Sequence, residues 1–207
     1  MQYSGPTKPE IRIGYGKFLD PIFISYMKNE KNESTFFSFE DVNKKIAAYS
    51  DEWKKFETII LDGLQEFLTL NFYQNTIDVF IVTAHERAFS DPMVIPAKYT
   101  EDAFVDTLTH EIIHRLFSDN AQKVNFGPIF NTMFPDQPVL VRNHIFIHAV
   151  HSYIYLDVLK DEERFRRNIA RYDTSPETNA YRLSWKIVLD MGYQKIVDDL
   201  KNNYCKN

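Results

Sequence analysis

The chain has a single cysteine, Cys205, among its 207 residues. No internal disulfide can form, so the fold has to be held by its core and not by cross-links. Glycine and proline are also scarce, at six and nine, which excludes a low-complexity or disordered chain. Positive charge is not in excess: the formal net charge is −5, and the basic footprint that a nucleic-acid partner leaves is missing. The nearest cluster, Arg164, Arg166, Arg167 and Arg171, follows Asp161, Glu162 and Glu163. That order suits the two ends of a helix dipole and reads as a solvated helix face. No apolar run approaches about 18 residues, so no membrane-spanning segment is expected. The start, MQYSGPTKPEIRIGYG, does not have the pattern of a secretory leader. A cytoplasmic protein is the expectation.

What is present is apolar and aromatic residue in quantity, 44% and 15%, enough for a sizeable core. With no repeat and no Ser/Gly linker, residues 1–207 are expected to form one domain, with a helical C-terminal part from about 160. Ser38-Phe39-Glu40-Asp41 is a helix start, and a helical pattern runs from Val42 to about Leu70, in two pieces broken near Ser50 or Gly63. TIDVFIVT, 76–83, reads as a buried strand, and IRIGYG near the start as another. AHERAFSDP reads as a loop. MVIPAKY is short and extended, with Pro96 marking it as an edge strand. Thr100 then opens a helix, residues 119–138 read as an irregular connection, and 139–159 return to helical spacing. Two more helices close the chain, one from about Asp161 and one after Ser175-Pro176-Glu177. The fold class is α+β, mostly helical with a small sheet.

The informative stretch is THEIIHRLF, 109–117. His110 and His114 are one turn apart on one side of a helix, about 40° from each other, so both imidazoles can approach one ion. Glu111 sits beside them, placed to act on a water without ligating the metal. The other positions of this helix, Phe104, Val105, Leu108, Ile112, Leu116 and Phe117, are core-like. A chance HExxH in a chain this long has a probability on the order of 1%. A second cluster argues against chance: His144, His148 and His151 are spaced i, i+4, i+7 on the downstream helix, with Tyr155 on the same stripe. Five of the six histidines thus occupy two helical faces.

A catalytic zinc takes three protein ligands and keeps one position open. His148, central in its stripe, is the first choice for the third ligand and His144 the second. Two ligands from the stripe would close the site and make it structural. The remaining histidine of the stripe, His151, or Tyr155 would meet substrate or stabilise an oxyanion. Asp106, one turn before His110, is placed to accept its second ring N–H. Asp157 faces away from the stripe, and Asp119, Asp136 and His85 read as loop residues.

HEIIH, following a helix, a strand and a short extended segment, resembles the zincin metallopeptidase clan, over about residues 40–160 in architecture and five residues in strict motif. The resemblance implies Zn2+ on His110 and His114 and a water activated by Glu111. It also implies a third ligand from a downstream helix and a peptide laid along the strand around Met93–Ile95. The metzincin continuation is ruled out by Phe117 and Asn120. The glutamate of gluzincins is replaced by His144 and His148, and the aspzincin motif is missing. The expectation is a zinc-dependent hydrolase, a metallopeptidase acting on a peptide or protein substrate. The alternative is a catalytically inactive zincin-like module that binds metal or regulates.

Overall fold

The computed structural model describes residues 8–31, 36–172 and 179–205. It divides into two compact units, one of residues 1–58 and 72–115, the other of 59–71 and 116–207. Among the described residues no helix is long and apolar enough to cross a membrane.

The first unit holds a mixed four-stranded sheet: β1 (Glu10–Tyr15), β2 (Thr76–Val82), β3 (Phe89–Ser90) and β4 (Met93–Pro96) in the order β1-β2-β4-β3. β1, β2 and β4 run parallel, and β3 is antiparallel to β4. β2 lies between β1 and β4, and its residues alternate as on a strand with one covered face: Ile77, Val79 and Ile81 are buried, while Asp78 on the other face is exposed. Met93 and Val94 pair with β2 on one side and β3 on the other. The segment read as an edge strand is therefore internal at those residues. Pro96 sits at its last position, where its missing N–H breaks no further ladder, and β3 lies in the stretch read as a loop.

Helix α1 (Asp20–Lys31), which the sequence reading did not anticipate, opens with Asp20-Pro21. Asp20 is fully buried and joins the helix to the ends of two strands. It accepts from the Tyr15 hydroxyl at 2.7 Å, the Thr83 N–H at 2.8 Å and the Thr83 hydroxyl at 2.9–3.0 Å. Helix α2 (Phe39–Lys54) starts as expected, with the Ser38 side chain accepting from the Asp41 N–H at 3.1 Å. The break before α3 (Glu57–Leu68) falls at Lys55 and Phe56, not at Ser50 or Gly63. There the N–H groups turn back to Glu52 and Trp53, in tight three-residue closures. Helix α4 (Glu101–Asn120) carries HEIIH. It is buried nearly all round from Ala103 to Ile113, His110 and Glu111 included, and His114 is half-buried.

The second unit is helical. After α4, the stretch read as irregular contains α5 (Phe126–Met133), whose Pro128 is tolerated because it lies in the first turn. Helix α6 (Val139–Tyr153) is buried without interruption from His144 to Ser152, the signature of a central helix. It continues into a π-helical turn, Ile154–Val158. Among the described residues three helices follow where two were expected: α7 (Glu162–Ala170), α8 (Asn179–Met191) and α9 (Tyr193–Tyr204). Gly192 divides the last two with a φ of +83°, a conformation that favours glycine. Asp161 caps α7, accepting from the Arg164 N–H at 2.8 Å. Arg166 and Arg167 pair with Glu162 and Glu163 on the exposed face, as read from sequence. Arg164 departs from that reading, for it is buried. The cap expected at Ser175-Pro176 lies outside the described residues, as do residues 1–7 of the stretch weighed as a leader.

Candidate metal centre

On α4, helical spacing brings His110 and His114 together as the motif requires: their Nε2 atoms are 3.3 Å apart. Two nitrogens at 2.0–2.1 Å from a tetrahedral zinc are separated by roughly 3.3–3.4 Å. The pair is therefore already at the spacing of one edge of a zinc tetrahedron. Their rings meet edge to face, with centroids 5.0 Å apart.

His144 completes the group. One ligand nitrogen from each of His110, His114 and His144 lies within 4.8 Å of the others, and this is the one such group of three among the described residues. The tautomer of His144 is set locally. Its Nδ1 is 2.8 Å from the carbonyl of Leu140, one turn earlier on α6, and a carbonyl can only accept. Nδ1 therefore carries the proton and Nε2 keeps its lone pair, the arrangement that outer-shell hydrogen bonds impose on ligating histidines. Burial lowers the pKa of His144, against a smaller rise from this hydrogen bond. A neutral imidazole with an open lone pair is the form that binds metal. The donor set, three imidazole nitrogens, suits zinc, copper or nickel far better than calcium or magnesium.

Glu111 follows His110 on the same helix and is 8% exposed. Burial pushes its carboxyl up to about 7, well above the usual carboxylate range. Arg115, just after His114, forms an ion pair with Asp91 at 2.7 Å. Asp106 is buried.

The sequence ranked His148 ahead of His144, and the nitrogens that converge belong to the set containing His144. Spacing places both on one stripe, but the order depends on how α6 is rotated about its axis, which spacing does not encode. His148 is fully buried and lies flat on Trp185, with ring centroids 4.1 Å apart and planes at 8°. Its Nδ1 is 2.9 Å from the Ser184 hydroxyl. His151 and Tyr155 stack on each other at 4.6 Å, and both are buried. Tyr155 belongs to a cluster with Phe165 and Trp185. The pKa of His151 falls to about 3, through burial first and then the charges of Arg164 and Arg171.

Sequence reasoning missed Tyr181, Ser184 and Trp185 of α8. Tyr181 sets its ring edge-on to His144 at 4.4 Å. The signal available was their i, i+3, i+4 spacing on one face of a helix. Of the weaker candidates, His85 is held by Arg87, whose N–H lies 3.0 Å from its Nδ1, and Asp157 takes the Tyr193 hydroxyl. The chain has no significant match among protein-family models, curated proteins or solved structures.

Proposed function

We propose that the protein is a zinc-dependent hydrolase, with peptide bonds as its substrate class. Zn2+ would be held by His110, His114 and His144. The observation that carries this reading is the 3.3 Å separation of the His110 and His114 Nε2 atoms in a group completed by His144. Three imidazoles fill three of four positions and leave one for the reaction.

A zinc ion bound there supplies Lewis-acid polarisation of the scissile carbonyl. The chain's own part falls to Glu111. Its carboxylate takes a proton from the attacking water and passes it to the leaving amine as the C–N bond breaks. A carboxyl whose proton affinity is raised by burial suits both halves of that transfer, since it has to accept and then release. Burial keeps His144 neutral, against a smaller opposing effect of its bond to Leu140, and that bond fixes which nitrogen is left open.

The alternative, a metal-binding module without turnover, draws support from burial: His110 and His144 are 7% and 6% exposed. One experiment separates the two. Zinc-loaded parent and Glu111→Gln are compared for cleavage of a fluorogenic peptide library and for zinc content. The hydrolase reading expects both to hold about one zinc, with the variant slower by at least about 100-fold. Equal turnover in the variant refutes the role of Glu111. Bound zinc with no cleavage by the parent leaves the module.

A further inference from the structure

We infer that one face of helix α8 orients the α6 histidines: Ser184 and Trp185 hold His148 in a single tautomer, and Tyr181 braces His144, making all three positioning residues. For its metal part the inference rests on the zinc reading above; for the tautomer it does not.

The argument starts from one proton. The Ser184 hydroxyl makes two hydrogen bonds, to the carbonyl of Tyr181 at 2.8 Å and to His148 Nδ1 at 2.9 Å. A serine hydroxyl has one hydrogen and a carbonyl has none. The hydroxyl proton therefore goes to Tyr181, and the second bond is donated by the Nδ1–H of His148. Its Nε2 is then an acceptor. In that state His148 cannot donate to a developing oxyanion, a role the sequence left open to the stripe.

His144 reaches the same tautomer by a different route, through Leu140. Two histidines one turn apart thus carry their protons on Nδ1 for independent reasons. Ser184 and His148 are both fully buried, so a change of tautomer would strand a polar group away from water, which is costly. Trp185, flat against His148, leaves its ring little freedom to flip.

Tyr181 acts on the neighbouring histidine. Its ring stands at 65° to that of His144, and Tyr172 stacks behind it at 5.2 Å and 13°. A ligand ring held from the side loses little entropy on binding metal; hydrogen-bonded outer partners typically change affinity 10- to 100-fold, and the ring contact is expected to act at the lower end of that range.

The test uses two readouts. Nitrogen-15 spectra of the metal-free full chain at pH 8 report which ring nitrogen carries the proton. Competition with a chromophoric chelator reports zinc affinity. His148 is expected to be protonated on Nδ1 in the parent, and Ser184→Ala to give a mixture. Zinc binding is expected to weaken about 10-fold or more in Tyr181→Leu, yet to stay within about two-fold in Tyr181→Phe, which keeps the ring. A parent with its His148 proton on Nε2 overturns the inference. So does an unchanged affinity in Tyr181→Leu. A parent that binds no zinc defeats the metal reading instead, and the His148 tautomer then decides the positioning claim alone.

Discussion

His110 and His114 hold their Nε2 atoms 3.3 Å apart, closer than two like-tautomer imidazoles would choose without an ion or a shared proton between them. Zinc is therefore expected to stabilise the fold. At about a hundred times its Kd, a ligand that binds only the folded chain adds about 2.7 kcal/mol. For a chain of this size that is a rise in Tm of roughly 5–10 °C. Scanning calorimetry of chelator-treated protein, before and after zinc, measures it. Magnesium should give no rise, and His144→Ala should abolish the response.

Asp20 accepts three hydrogen bonds with its side chain fully buried. Asp20→Ala would leave the Tyr15 hydroxyl and the Thr83 N–H and hydroxyl without their acceptor. The expected loss is about 3 kcal/mol or more. Asp20→Asn, which keeps one carbonyl oxygen, should cost less. Urea titrations of the three proteins give the comparison.

Gly63 lies inside α3, where helix propensity alone favours alanine by about 1 kcal/mol. A Cβ there would come within 2.9 Å of Val158 Cγ2 and 3.4 Å of Ile154 Cδ1. Valine is stiff at χ1 and cannot swing away. Gly63→Ala is therefore expected to destabilise by about 1–2 kcal/mol, and a gain in thermal stability would show that the π-helical turn yields.

Acid should weaken the metal-free fold through His151. Its folded pKa is about 3, against about 6.5 for an unperturbed histidine. The unfolded chain thus takes up the proton first. The stability that the neutral ring contributes is complete above about 6.5 and is lost as pH falls towards 3. Between pH 7 and 4.5 this is on the order of 2–3 kcal/mol. His144, also lowered, acts in the same direction. The slope of stability against pH should be shallower in His151→Gln than in the parent, and equal slopes would remove His151 from the account.

HEIIH and the stripe of three histidines were readable because ligand spacing along a helix is a local property. So were the start of α2 at Ser38 and the buried strand β2. Which α6 nitrogen meets His110 and His114 was not readable, since that depends on the rotation of a helix buried on every side. The α8 residues that fix those rings lie more than 30 positions downstream in the chain and have no motif. Helix α1 was missed although Pro21 stands in its first turn, where proline is welcome. Helix α5 was missed because Asn125, Gly127 and Pro128 have the composition of a loop. Gly192 was a stop signal between α8 and α9 that the reading passed over.

The register of β1 has a bearing on how the molecule behaves in a crowded solution. The Glu10 N–H points to Asn75, so the next one, on Ile11, points outward from the sheet. Glu57 accepts it at 3.3 Å, and Glu10 and Arg12 stand charged alongside. At the opposite margin β3 is two residues long. An open strand margin is what lets one chain template another into fibres. Here one margin is guarded by a carboxylate and charges and the other is too short to seed growth. Polymerisation through strand pairing is thereby discouraged, with Glu57 occupying one of the outward N–H groups that such pairing would use.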